Sequence, residues 1–193
     1  MGGGTSSYQE IEETDCILLW GSNARETHPI FFHHLLKGVK RGAKLYAIDP
    51  RRTGSAQWAE VWAGLDVGTD IALSNTVARE IICSGLANKE FIEHATTGFD
   101  AYRELVMQWT LERGERETGV PAAVIREMAH TYATAKRAII SGWILRAKMN
   151  SHSRAATCEG PNSIPIMTTT CGSSPARWKI ANRCADSPEG TKE

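Results

Sequence analysis

The fold of this chain is decided by residues 16–23, which read Cys16-Ile17-Leu18-Leu19-Trp20-Gly21-Ser22-Asn23. An apolar run of this kind is typical of a buried strand, and the glycine and small polar residues after it indicate a turn. The arrangement recurs twice more: Lys44-Leu45-Tyr46-Ala47-Ile48 precedes Asp49-Pro50-Arg51-Arg52-Thr53, and residues 61–67 precede Gly68-Thr69-Asp70. The sequence therefore predicts three strands, each followed by a short polar motif.

The residue types in the three motifs suit a nucleotide. Glycine and small hydroxyl side chains suit phosphate, and carboxylates accept hydrogen bonds from ribose hydroxyls and from the N–H groups of a base. In an open α/β sheet, ligands bind in the crevice at the carboxyl ends of the strands. We therefore expect the three motifs to converge on one ligand.

Between residues 15 and 145, strand-like segments alternate with helix-like segments. This alternation predicts an α/β fold with a parallel sheet flanked by helices. The first helix is expected to start at Thr27 and Pro29, with Thr27 as its cap, and to end at Gly42. A last strand is expected over residues 138–143. The residues that mark the four expected helices are Phe32, Leu35, Leu36 and Val39; Leu73, Val77 and Ile81; Tyr102, Leu105, Val106 and Trp109; and Ile125, Met128, Ala129, Tyr132 and Ala133.

The character of the chain changes near residue 146. Residues 146–193 are rich in Ser, Thr, Asn, Pro, Cys and Arg and have no sustained apolar period. Such a segment buries too little apolar area to offset its ordering entropy, so we expect disorder. The predicted organisation is a truncated glycine-rich lead-in at 1–14, an α/β domain at 15–145 and an irregular tail at 146–193. We hypothesise that a frameshift or a misjoined gene fragment produced the tail.

Composition and charge exclude several classes of function. The 22 basic and 22 acidic residues give a formal net charge of zero, so nucleic acid and anionic membranes are not expected as partners. No apolar run approaches the roughly 18 residues that span a bilayer. Residues 1–7 lack the basic and apolar regions of a signal peptide, so a cytoplasmic location is the default expectation.

Five cysteines are present, and their odd number favours a reducing compartment. Cys16 and Cys83 are expected to be small buried hydrophobic residues. No metal site is predicted, because the tail cysteines lack the close pairs typical of zinc ligands. These tail cysteines are Cys158, Cys171 and Cys184.

Further motifs accompany those at the strand ends. They are Glu26-Thr27-His28-Pro29, Arg41-Gly42-Ala43-Lys44-Leu45, Ile71-Ala72-Leu73, Gly98-Phe99-Asp100-Ala101-Tyr102 and Thr118-Gly119-Val120-Pro121-Ala122. Through the order and spacing of all these motifs, the chain resembles the large subunit of molybdopterin-dependent oxidoreductases. Within that family, it resembles the formate dehydrogenase alpha subunit most. Each motif alone is weak, but together they make the resemblance specific.

The resemblance implies a Rossmann-like middle domain, as in formate dehydrogenase and dimethyl sulfoxide reductase, that holds one molybdopterin guanine dinucleotide. Residues 21–23 would then lie against the phosphates, and Asp49 would accept hydrogen bonds from the ribose hydroxyls. Asp70 would accept from the guanine N1–H and amino groups. Arg51 and Arg52 would neutralise the pyrophosphate or cap their loop. The implied cofactor-binding set is Gly21, Ser22, Asn23, Asp49, Arg51, Arg52, Gly68, Thr69 and Asp70.

For the complete enzyme, the resemblance implies a molybdenum centre held by two such dinucleotides, formate or a similar small substrate, and electron-transfer subunits. Many family members carry an iron–sulfur cysteine cluster and then a cysteine or selenocysteine bound to molybdenum. None of the five cysteines here stands in that context, and the surroundings of His152 do not match a family histidine. No catalytic or metal residue is therefore assigned, and we predict no turnover by this chain alone.

Other interpretations of the same residues stay open. An ordinary turn accounts for residues 21–23, a turn aspartate before proline for Asp49, and a helix N-cap for Asp70. A different nucleotide-binding module, such as an NAD-binding domain, is disfavoured because residues 21–26 lack the spaced glycines of G-x-G-x-x-G. A non-functional product of a truncated reading frame is the third interpretation.

Overall fold

The computed structural model describes residues 7–142 of the 193-residue chain. Four strands form one parallel sheet in the order β3-β2-β1-β4. They are β1 (Cys16–Trp20), β2 (Lys44–Ile48), β3 (Val61–Ala63) and β4 (Ala138–Gly142). β1 and β2 are the two central strands, and all residues of β1 pair with both β2 and β4 and have buried side chains.

Helices connect the strands and cover the sheet. Within residues 7–142 they are α1 (Tyr8–Ile11), α2 (Ala24–Thr27), α3 (Pro29–Lys40), α4 (Asp70–Cys83), α5 (Lys89–Ala95), α6 (Phe99–Met107), α7 (Leu111–Thr118) and α8 (Ala122–Thr134). A short 3-10 turn at Ala56–Trp58 precedes β3. In this part of the chain, no helix has both the length and the apolar composition needed to cross a bilayer.

The core has two parts because successive side chains of a strand point to opposite faces of the sheet. On one face, Leu18 of β1 packs in a cluster with Leu73 of α4 and Met128 of α8. On the other face, Leu19 of β1 packs in a cluster with Leu35 of α3. The fold class predicted from the sequence, a parallel sheet flanked by helices, is thus confirmed.

The strands lie where the sequence predicted them, with small differences at their ends. β2 has the predicted bounds, and β1 continues one residue further, to Trp20. β3 ends at Ala63 rather than at residue 67. The chain leaves the sheet there because the Leu65 N–H donates to the Ala63 carbonyl in a tight turn (3.1 Å).

Two predictions about the helices were wrong. Thr27 does not cap the first long helix, because it is the last residue of α2 and α3 begins at Pro29 with His28 as its N-cap. Trp109 lies beyond the end of α6, and its ring instead faces the Arg113 guanidinium at 4.0 Å.

Some sequence-based predictions fall outside the described residues. These concern the glycine-rich residues 1–6, the last residue of the predicted final strand, and the whole tail at 146–193 with its cysteines and His152. The short helices α1 and α5 were not predicted from the sequence. Ile11 of α1 is buried in the same cluster as Leu35, so the lead-in contributes to the core on that face.

Candidate functional site

Three loops follow β1, β2 and β3 at the end of the sheet where the strand carboxyl ends lie, here called the carboxyl edge. Loop 1 comprises residues 21–23, loop 2 residues 49–55 and loop 3 residues 64–69. Ser55 Oγ of loop 2 donates to Asn23 Oδ1 of loop 1 at 3.0 Å. Trp20 Nε1, at the end of β1, donates to Asp70 Oδ1, directly after loop 3, at 3.1 Å. The three predicted motifs therefore lie beside one another in the fold.

Loop 1 presents unpaired backbone donors at the carboxyl edge. Gly21 has a φ of +61°, a left-handed conformation that favours glycine, and its N–H donates to the Ile48 carbonyl at 2.7 Å. Among residues 7–142, no protein group accepts from the next three N–H groups, those of Ser22, Asn23 and Ala24. Consecutive free N–H groups form a concave site for an anion. Two of these donors lie in loop 1, and the third belongs to Ala24, the first residue of the four-residue helix α2.

Ser55 is a site residue that the sequence analysis did not select. It is fully buried, and its hydroxyl accepts from the Arg25 N–H at 2.9 Å while donating to Asn23 Oδ1. The only signal was its position directly after Gly54 in the same polar stretch as Asp49. A Cβ atom at Gly54 would lie 3.2 Å from Arg25 Cδ, so glycine lets loop 2 approach α2 closely. Ser55 thereby fixes loop 1 against loop 2.

Asp49 closes a turn and keeps one oxygen available. Its Oδ1 accepts from the Arg51 N–H at 2.8 Å, which agrees with the interpretation as a turn aspartate. Its carbonyl oxygen accepts from Trp62 Nε1 at 2.9 Å. Within residues 7–142, no donor occupies Asp49 Oδ2. A half-buried carboxylate held in this way can close its turn and still accept a hydrogen bond from a ligand.

Asp70 is not the N-cap of α4, so that interpretation was wrong. The helix begins at Asp70, and the N-cap is Thr69, whose side chain makes no capping bond. The Thr69 hydroxyl donates instead to the Asp66 carbonyl at 2.7 Å, and Gly68 has a φ of +88° in the turn before it. Asp70 is therefore available for the bond from Trp20, and it lies where a carboxylate is stabilised by the helix dipole.

Loop 2 also carries two exposed cations. Arg51 and Arg52 point into solvent, and within the described part of the chain neither guanidinium forms an ion pair. The carboxyl edge therefore combines two kinds of group: backbone N–H groups and arginines that suit phosphate, and two carboxylates that suit hydroxyl and N–H donors. Both kinds were predicted from the sequence.

No metal centre is formed by the described residues. In residues 7–142, no group of three or more His, Cys, Asp or Glu side chains could hold an ion. Cys16 is buried as predicted, and burial raises the pKa of its thiol to about 12. The prediction for Cys83 was wrong, because it is the last residue of α4 and is exposed there, with its Sγ 3.8 Å from Met107 Sδ.

The chain is similar to a family model, to the sequences of known proteins and to a solved structure. A family model described as molybdopterin oxidoreductase matches residues 3–187. The F420-dependent formate dehydrogenase 2 subunit alpha of Methanococcus maripaludis is 37% identical over 139 residues, which cover 72% of this chain and 21% of that protein. Formate dehydrogenase H of Escherichia coli is likewise 37% identical over 139 residues, 72% of this chain and 19% of that protein.

The fold of the chain is also similar to that of a solved structure. The acetylene hydratase of Pelobacter acetylenicus has a TM-score of 0.61 and 31% identity, over 70% of this chain and 20% of that one. In each of these comparisons, the chain spans about a fifth of the length of the protein that it matches.

Proposed function

This chain belongs to the molybdopterin oxidoreductase family, and from that premise we propose that it binds the guanine dinucleotide part of a molybdopterin cofactor at the carboxyl edge. The observation that carries the proposal is the linkage of the three loops. Asn23 bonds to Ser55 and Trp20 bonds to Asp70, so phosphate-type donors and carboxylates lie on one edge. This edge is where ligands of open α/β sheets bind.

The phosphates would bind at loop 1. The free N–H groups of Ser22, Asn23 and Ala24 are the donors that a pyrophosphate requires. The exposed guanidinium groups of Arg51 and Arg52 would neutralise its charge. Gly68 and Thr69 would border the same ligand from loop 3.

The two carboxylates would recognise the nucleoside. Asp49 Oδ2 would accept from the ribose hydroxyls, as an acidic residue at a strand end does in dinucleotide-binding folds. Asp70 would accept from the N1–H and the amino group of guanine. Both of those groups are donors, whereas adenine presents an acceptor at N1, so a carboxylate here would favour guanine.

The donor set of the carboxyl edge thus fits the nucleotide end of the cofactor, and we propose no ligand to the metal from among residues 7–142. In a complete enzyme, the metal and pterin supply the redox chemistry, while the protein binds and orients them. We propose that the larger protein uses a molybdenum centre with two guanine dinucleotides and acts on formate or a similar small substrate. Its electrons would pass to further subunits, and we propose that none of the five cysteines of this chain holds the iron–sulfur cluster of the family.

The proposal extends to the organisation of the chain. We propose that residues 15–145 form the nucleotide-binding unit and that the tail at 146–193 takes no part in it. We also propose a cytoplasmic location and no turnover by this chain alone. An NAD-type module is disfavoured by the sequence of loop 1, where Gly21 is followed by Ser22 and Asn23 rather than by spaced glycines.

Calorimetric titration of the full chain with GDP, ADP and NAD tests the proposal. We expect GDP to bind more tightly than ADP or NAD. Asp70→Asn should remove the preference for guanine, because it replaces an acceptor oxygen with a donor. Asp49→Asn should weaken the binding of GDP and of ADP to the same extent, because both nucleotides carry the same ribose.

Asp100→Asn is the matched control, since Asp100 is an exposed aspartate in the first turn of α6. Its binding should equal that of the wild-type chain. A cooperatively folded chain that binds GDP no better than ADP would contradict the proposal. A chain without cooperative unfolding would favour the interpretation as a non-functional product.

A further inference from the structure

The indole of Trp20 is buried at the carboxyl end of β1, in the core cluster of one face of the sheet. Trp20 is the last residue of β1, it is 4% exposed, and it pairs with both Ile48 and Gly142. A Cβ atom at Gly142 would overlap the Trp20 carbonyl oxygen, so the neighbouring strand packs directly against the backbone of Trp20. A buried indole N–H needs an acceptor, and Asp70 Oδ1 provides it at 3.1 Å.

This bond divides the roles of the two oxygens of Asp70. Oδ1 accepts from Trp20 and retains a second lone pair, since a carboxylate oxygen can accept two hydrogen bonds. Within residues 7–142, Oδ2 has no donor. The hydrogen bond from this buried indole restricts the rotation of the short Asp70 side chain, so it favours one direction of the second oxygen before any ligand arrives.

We propose that Trp20 is the positioning residue that sets the base specificity of this site. Its N–H orients the Asp70 carboxylate so that both oxygens can accept the paired N1–H and 2-amino donors of a guanine. Two parallel bonds require the carboxylate to lie in the plane of the base, and pre-orientation removes the entropic cost of that alignment. This inference rests on the proposed binding of a guanine nucleotide.

Trp20→Phe tests the inference, because it removes the N–H while keeping an aromatic ring in the core. Calorimetric titration of the full chain with GDP, IDP and ADP separates the contribution of the 2-amino group from that of the N1–H, since IDP lacks the first and keeps the second. We expect the GDP-to-ADP affinity ratio to fall about tenfold, which is the loss of one net hydrogen bond. ADP affinity should stay within about twofold, because the phosphate donors lie in loop 1 and at the first residue of α2 and not on Asp70. The advantage of GDP over IDP should shrink as well.

Trp58→Phe is the control variant. Trp58 is 50% exposed. It is the last residue of the 3-10 turn before β3, whereas Asp70 is the first residue of α4. Its affinity ratios should match those of the wild-type chain. A fall of equal size for GDP and ADP in Trp20→Phe would show a merely structural role and overturn the inference.

A spectroscopic measurement covers the case in which Trp20→Phe does not fold. The Trp20 indole N–H gives one ¹H–¹⁵N cross-peak, identified as the indole peak that moves in Asp70→Asn. We expect GDP to shift this peak in the wild-type chain and ADP to leave it in place. Equal shifts, or no shift with bound GDP, would overturn the inference.

The outcomes separate the two proposals. A wild-type chain without guanine preference overturns the proposed function and this inference with it. A wild-type chain that prefers GDP, together with a Trp20→Phe variant that keeps the whole preference, overturns only the positioning role.

Discussion

Gly114 lies where α7 packs against α4, and alanine at this position gives a sharp test of that packing. A Cβ atom added to Gly114 would lie 2.5 Å from Cγ2 and 2.6 Å from Oγ1 of Thr76. Thr76 is fully buried, and its hydroxyl donates to the Ala72 carbonyl at 2.8 Å, so rotating the side chain away would break a buried hydrogen bond. The substitution therefore sets a favourable helix term against an unfavourable steric term.

The steric term should win. Alanine in a helix interior stabilises by about 0.5–1 kcal/mol relative to glycine. An extra methyl group forced into a packed core costs about 1–3 kcal/mol. We expect Gly114→Ala to lower the free energy of unfolding by about 1–2 kcal/mol, which corresponds to a fall of about 2–8 °C in melting temperature.

Urea denaturation of the full chain, followed by far-UV circular dichroism, measures this change as a lower midpoint with an unchanged slope. Thr76→Ala removes the two nearest atoms that the new methyl group would meet and leaves only the Cβ of residue 76, at 3.0 Å. The double variant should therefore be more stable than the sum of the single effects by about 1 kcal/mol or more. A Gly114→Ala chain as stable as the wild type would refute the close approach of α7 to α4.

Three further predictions concern single side chains. Iodoacetamide at pH 8 should leave Cys16 unmodified in the native chain and modify it after denaturation, because burial raises its pKa to about 12 and only the thiolate reacts; rapid native modification, seen by peptide mass spectrometry, would contradict the burial. Hydrogen bonds from Lys37 and His34 lower the pKa of Glu12, so its stabilising effect is present above its ordinary pKa and is lost as the pH falls through the lowered value. Glu12→Gln should therefore flatten the decline of melting temperature between about pH 5 and pH 3, and an equally steep decline would count against the contact. Ser55→Ala should cost about 1–2 kcal/mol in urea denaturation, because two polar groups lose their buried partner, and an unchanged midpoint would refute this role.

The positions of the strands could be predicted because the central strands are buried on both faces. Such strands read as continuous apolar runs, and β1 and β2 both do. Their polar motifs follow directly, so the carboxyl edge and its main residues were visible in the sequence. Asp49 and Asp70 were selected correctly as edge residues for this reason, although their binding of a ligand stays a prediction.

The missed features depend on contacts between distant residues. The bond from Trp20 to Asp70 spans 50 positions, and no local pattern reports it. The hydrogen bonds of Ser55 with Arg25 and Asn23 form only because loop 2 packs against loop 1, so the sequence around Ser55 does not indicate them. The short helix α1 has too few residues to show an apolar period, and it forms through the Ser7–Glu10 capping box instead.

The pairing of β1 with β4 has a consequence for synthesis on the ribosome. β2 follows β1 closely, but the β4 partner of Cys16 is Ala138, about 120 residues later. At roughly 5–20 residues per second, the growing chain carries β1 with one edge unpaired for on the order of 10 seconds. During that interval β1, the most apolar of the four strands in residues 7–142, has unpaired N–H and C=O groups that could pair with another chain. Protection of this nascent edge, by a chaperone or by rapid translation, should therefore raise the yield of folded protein without changing the stability of the finished sheet.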